Sequence, residues 1–162
     1  MKKILFVAAM LISLAVNAQV TKVSMQASGL TCSMCSNAIN KSLKSLDFVD
    51  NVRANIKTSS FEITFKPDTE VVFEELKKRV EDAGFFISQF VATFRFNNVH
   101  VKENESIKIG DKTLRFINVK GQALNGDKAI RILNKGFVSS KEYKKNAITA
   151  PGKGSNIYNV TI

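Results

Sequence analysis

Cys32 and Cys35 are the two thiols of this 162-residue chain, and they share one run, Gly29-Leu30-Thr31-Cys32-Ser33-Met34-Cys35. With no third cysteine there is neither a disulfide framework nor a four-cysteine zinc site, so any sulfur chemistry belongs to this pair. A Cys-x-x-Cys pair at a strand-to-helix junction brings two sulfurs close enough to share one soft metal ion or to close one disulfide. Two thiolates with few hard ligands nearby suit Cu(I), with Hg(II), Ag(I) and Zn(II) as competitors, because soft sulfur selects soft ions. Cys35 is expected at the start of a helix, where unpaired N–H groups and the helix dipole favour thiolate over thiol. A structural zinc site closes with four ligands. A two-sulfur site stays open, so a partner's thiolate can take the ion through a three-coordinate intermediate. The same openness admits a dimer of two chains bridged by one ion.

The competing chemistry is thiol-disulfide exchange, which an oxidising compartment would favour. The surroundings speak against an oxidoreductase: the chain has no Trp, and its two prolines, Pro67 and Pro151, do not sit where an active-site cis-proline is expected. A merely structural disulfide is the third reading, and a metal-independent interaction module, in which the second half of the chain matters and the pair is vestigial, is the fourth. Met34, between the cysteines, could lend a thioether to Cu(I) or simply face solvent or a docking partner. Thr31 and Ser33 are placed to cap the helix or to hydrogen-bond the sulfurs. Met25 is expected in the core. His100, the sole histidine, has no Cys, Asp or Glu at ligand spacing and reads as structural or surface. No nucleophile-base pair, carboxylate pair or phosphate loop emerges, so an enzyme is not expected.

The elements that position the pair follow from hydrophobic periodicity. Val23, Met25 and Ala27 alternate in a half-buried strand that ends at Ser28-Gly29. Ile39, Leu43 and Leu46 recur at helical spacing. Val52, Ala54 and Ile56 alternate, Thr58-Ser59-Ser60 turns the chain, and Phe61, Ile63 and Phe65 alternate again, which predicts a hairpin. Pro67 and Asp68 are expected to open a helix with Phe73, Leu76, Val80 and Ala83 on one face and Gly84 as terminator. Phe85 to Phe90 completes a βαββαβ order, the ferredoxin-like α+β sandwich with two helices on one face of an antiparallel sheet.

Gly29-Leu30-Thr31-Cys32-x-x-Cys35 after a strand, the Val52-x-Ala54-Asn55 strand, the turn at 58–60 and Glu81-Asp82-Ala83-Gly84-Phe85 before the last strand resemble the heavy-metal-associated domain family over residues of about 20–90. That family includes copper chaperones, soluble domains of copper-pumping membrane ATPases and a periplasmic mercury carrier. The resemblance implies that Cys32 and Cys35 are metal ligands and that partners are metal-transporting membrane ATPases or other periplasmic metal proteins. Two departures stand out. Leu30 replaces the family's usual Met, in a place expected to pack beneath the loop. Phe85 stands where many chaperones carry Lys near the metal, as in the bacterial and ATPase-domain variants.

Residues 1–18 read as a secretory signal peptide: Lys2 and Lys3 precede an apolar run, and Val16-Asn17-Ala18 resembles a cleavage site. The run is shorter than the roughly 20 residues of a membrane span. The expected mature protein is therefore soluble, and periplasmic or secreted. Its charge is uneven. Residues 19–90 carry 9 basic and 9 acidic side chains, and residues 91–162 carry 13 against 5; the latter's net +8, with Lys2 and Lys3, makes up the chain's +10. The scattered lysines read as a solvated basic face, and nucleic acid is a poor partner for an exported chain. The charge shift divides the mature chain into 19–90, the metal-binding domain, and 91–162, a small, mostly antiparallel basic β-domain resembling an open barrel or sandwich. In that half Gly110-Asp111 and Asn125-Gly126 are expected to be hairpin turns. Residues 139–146 should form a short helix and 156–162 a closing strand, with a mobile loop at 150–155. Phe94, Phe96, Phe116 and Phe137 are expected in the core.

Overall fold

The computed structural model describes residues 19–30, 33–147 and 156–162. The signal sequence, Thr31, Cys32 and the loop expected at 150–155 lie outside the described residues. The alternation of β1 (Val20–Ser28) buries Val23, Met25 and Ala27. β1 pairs antiparallel with β3 (Ser60–Phe65) on one side and β4 (Phe86–Val101) on the other, Met25 lying opposite both Phe61 and Phe90. β2 (Val49–Asn55) joins β3 through the expected hairpin, whose turn is closed by the Asn55 Oδ1 accepting from the Lys57 and Thr58 N–H groups at 3.1 and 3.3 Å. Val49 and Val52 point inward, because an irregularity between Val49 and Asn51 shifts the phase of the strand. Ala54 and Ile56, expected to share that face, are exposed at the hairpin end instead.

Both helices cover one face of this sheet. α1 (Ser33–Lys44) buries Ile39 and Leu43 and ends with Lys41 and Lys44, cations that suit the negative end of the dipole. Leu46, just beyond, also enters the core. α2 (Phe73–Asp82) starts later than Pro67-Asp68 foretold: Pro67 fits a turn in which Asp68 takes a φ of 57°, the residues after it are irregular, and Val72 is extended just before the helix. α2 ends as expected at Gly84, with Gly84 N–H donating to Glu81 O at 2.8 Å and Phe85 N–H to Val80 O at 3.1 Å, the paired bonds that close a helix C-terminus. The helices are tied by Ser42 Oγ donating to Arg79 O at 3.3 Å.

β4 is 16 residues long, so the boundary expected at 90/91 falls inside a strand. Beyond it, β5 (Ser106–Ile109) and β6 (Lys112–Phe116) flank the Gly110-Asp111 turn as expected, followed by β7 (Gln122–Ile132), α3 (Ser140–Ala147) and β8 (Ile157–Thr161). These strands widen the first sheet and form neither barrel nor sandwich; the order is β2-β3-β1-β4-β7-β8-β6-β5, antiparallel except for β6 beside β8. Asn125-Gly126 is not a turn. Between the pairs Phe96–Gly126 and Val99–Leu124, β4 has two residues to one on β7, a bulge in which Asn98 and Gly126 take φ of 48° and 72°. This bulge uses left-handed backbone, as a two-residue hairpin turn would, and Asn and Gly supply it cheaply. Val99 to Val101 and Gln122 to Leu124 therefore continue the ladder.

One cluster of buried apolar side chains runs through both halves, from Val23 to Val160. At its centre Phe73 of α2 meets Phe90 of β4 at 5.1 Å and Tyr158 of β8 at 5.2 Å, edge-on, and Phe137 meets Phe90 at 5.1 Å. Phe94, Phe96 and Phe116 are buried as well. Tyr158 pays for its depth electrostatically: burial, with the nearby Glu74 and Asp111 carboxylates, pushes its hydroxyl well above the ordinary tyrosine range.

Candidate functional site

The strand-to-helix junction that carries the cysteines is built from both sides. Ser28 ends β1 opposite Phe86 and donates its hydroxyl to Phe86 O at 3.2 Å. Gly29 then takes a φ of 85°, where a side chain is strained; a Cβ there would lie 3.9 Å from Phe85 Cδ1, so backbone conformation and not space selects glycine. Leu30 packs against the main core, the place expected of it beneath the loop, and half-buried Phe85 does the same beside Gly29.

Thr31 and Cys32 lie outside the described residues. Ser33, Met34 and Cys35 form the first turn of α1. Ser33 is exposed, Met34 is 81 % exposed and Cys35 is half-buried. That turn holds no acidic residue, so no fixed negative charge of its own opposes a thiolate at position 35. Cys35 is disulfide-bonded in this structure. A sulfur in a disulfide has no thiolate to offer, so metal binding here has to follow reduction. Met25 is buried opposite Phe90, well within the core, and His100 is exposed on β4. Among the described residues no group of three or more His, Cys, Asp or Glu side chains is placed to hold a metal ion, and no helix is long and apolar enough to cross a membrane.

Sequence reasoning missed Phe86, which is 69 % exposed directly beside the loop. The doublet Phe85-Phe86 held the signal, because successive residues entering a strand face opposite sides and one of two phenylalanines must leave the core. Phe86 and Met34 are the two most exposed large apolar side chains among the described residues, and they flank the cysteine loop from β4 and α1.

A βαββαβ sandwich whose first helix has Cys35 in its opening turn, three residues after Cys32 in the sequence, is a small α+β domain. Residues 24–86 match the heavy-metal-associated domain. Over 57 residues the chain is 37 % identical to the copper-transporting ATPase of Saccharomyces cerevisiae, covering 35 % of this chain and 6 % of that protein. Over 62 residues it is 34 % identical to a probable copper-exporting P-type ATPase of Archaeoglobus fulgidus, covering 38 % and 8 %. The chain thus spans less than a tenth of the length of either relative. Among solved structures, the CopZ metallochaperone is similar over 41 % of this chain and 98 % of its own, at 21 % identity and a TM-score of 0.39. Oxidised MerP from Ralstonia metallidurans CH34 is similar over 43 % and 96 %, at 27 % identity and a TM-score of 0.39. Residues 24–86 are a heavy-metal-associated domain, and the β-rich region after it is joined to it through β4.

Proposed function

We propose that the mature chain is an exported carrier of a soft metal ion, Cu(I) first among candidates, which Cys32 and Cys35 hold and pass on by ligand exchange. The observation that carries this reading is Cys35 in the first turn of α1, within residues that match the heavy-metal-associated domain, with Cys32 three positions before it in the sequence. Soft sulfur donors select Cu(I), with Hg(II), Ag(I) and Zn(II) able to compete for the same pair. The receiving or donating partner is a metal-transporting membrane ATPase or another periplasmic metal protein. The copper ATPases that resemble residues of this domain support the first. The signal-like residues 1–18 support a periplasmic or secreted location. Transfer by thiolate exchange breaks no bond in a substrate molecule, so the role is carriage and not catalysis.

The test is an anaerobic competition titration of the reduced protein with Cu(I) against a colorimetric chelator, beside the Cys32→Ser/Cys35→Ser variant. Wild type should strip about one Cu(I) per chain and the variant none. Equal behaviour of the two overturns the reading. The disulfide at Cys35 is the one observation that favours thiol-disulfide exchange instead. Catalysed reduction of insulin by the protein, lost in the same variant, is the result that reading requires.

A further inference from the structure

Beside the cysteine loop a groove of about 720 Å3 opens between the two halves of the chain. Its apolar walls are Phe86 and Ile87 of β4, Val138 and Tyr143, and its foot is Ser28, the last residue before the loop glycine. Lys135 and Lys144 stand exposed at its rim, and among the described residues neither has a carboxylate within ion-pair distance; Lys77 lines it as well, already paired with Glu74 and lying over the Phe137 ring. Among the described residues Glu81 is the one acidic residue that lines the groove.

The sheet explains why the groove exists. β4 pairs with β7 only from Val91 onward, opposite Arg131, so among the described residues its first residues, Phe86 to Phe90, have β1 on one side and no strand on the other. After β7 the chain instead turns through Lys135 and Gly136 against α2. It drops Phe137 onto Phe90, then climbs into α3, leaving Phe86 facing open space. A concave surface of this size, with apolar walls and a strand edge that no described strand pairs, is the form that takes a partner's side chain and backbone together. An excess of unpaired cations sets the sign of that partner.

We propose that this groove docks an acidic segment of the protein that exchanges metal with the cysteine pair, with one large apolar side chain seated beside Phe86 and carboxylates meeting Lys135 and Lys144. The appended half of the chain thereby supplies partner selection next to a loop that supplies the ligands. This rests on the carrier reading for the identity of the occupant, though the binding itself needs no metal.

The test is selection of a displayed library of random peptides, each of about twelve residues, on the full mature chain. The enriched peptides are then titrated against wild type, Lys135→Glu/Lys144→Glu and Phe86→Ser, all three checked for unchanged circular dichroism. Enrichment of acidic peptides with an aromatic or aliphatic anchor is expected, with affinity falling at least about tenfold in the double charge reversal and weakening with salt. Amide shifts in the wild-type protein should move at Phe86, Ile87 and Tyr143. Absence of acidic peptides from the selection, equal binding by the charge-reversed variant, or shifts elsewhere overturns the proposal. So does a surface that binds only vesicles containing phosphatidylglycerol, since the lysines would then serve a membrane. The Cu(I) titration is run on the same samples: intact metal binding without peptide binding removes the docking site alone, and peptide binding without metal binding removes the carrier reading alone.

Discussion

Phe137→Ala probes whether the two halves are one cooperative unit. The ring is fully buried in the second half, yet it packs edge-on against Phe90 of β4 at 5.1 Å and Tyr158 of β8 at 5.9 Å, with the Lys77 ammonium of α2 5.1 Å from its centroid. Truncating a buried phenylalanine costs about 3–5 kcal/mol in lost transfer energy and residual cavity. Here the surrounding groups, two rings from two strands and a lysine from a helix, cannot collapse independently, which argues for the upper part of that range. At about 2–4 °C per kcal/mol for a chain of this size, the melting temperature should fall by about 10 °C or more. The more discriminating observable is where the loss is felt. Phe90 sits opposite Met25 of β1, so the weakened packing reaches the strand that carries the cysteine loop. Calorimetry should show one transition shifted as a whole, and hydrogen exchange should show protection falling in β1 as well as in β7 and β8. Two separate transitions, only one of which moves, or unchanged protection in β1, would refute the shared-core argument.

Two further outcomes follow from local physics. Gly29→Ala should cost about 1–2 kcal/mol, because the left-handed backbone and not a clash penalises the methyl; chemical denaturation of the reduced protein measures it, and a neutral result would mean the loop relaxes out of that conformation. Tyr158, whose raised pKa keeps it a phenol when the unfolded chain's tyrosines have ionised, should make stability fall as pH rises through and beyond about 10, since the unfolded state then binds fewer protons than the folded one. A Tyr143→Phe variant leaves Tyr158 as the sole tyrosine, and its ultraviolet phenolate signal should appear together with unfolding and not before it.

Much of the first half was legible because its periodicities are strong: the alternation of β1, the helical stripe of Ile39 and Leu43, and the Gly84 terminator are each fixed by local chemistry. Errors arose where the same local chemistry serves two purposes. Asn125-Gly126 satisfies a hairpin turn and a bulge equally well, and only the pairing of β4 with β7 decides between them. Pro67 stops a strand without starting a helix, since a fixed φ suits a turn as well as a first helical turn. At the site, the spacing of Cys32 and Cys35 and the packing role of Leu30 are local matters and could be read. The exposure of Phe86 depends on Lys135 to Tyr143, about a third of the chain further on, and no periodicity carries that information.

The charge asymmetry that suggested a division near residue 90 is real, yet charge is a surface property and says little about where a core ends. β4 makes the distinction concrete. Its N-terminal residues belong to the metal-binding domain's ladder with β1, its C-terminal residues to a ladder with β7, and its inward side chains Phe90, Ala92, Phe94 and Phe96 contribute to one cluster. A βαββαβ sheet by itself leaves β4 as an edge with unpaired N–H and C=O groups, a hazard that proteins usually blunt or cover. Here β7 covers the far part of that edge while the part beside the cysteine loop stays open. A partner approaching the loop therefore meets α1 with exposed Met34 on one side, and on the other an edge whose rim charge is set by lysines of the appended half. On the carrier reading, the basic half changes what can come near Cys32 and Cys35, the two cysteines of the chain.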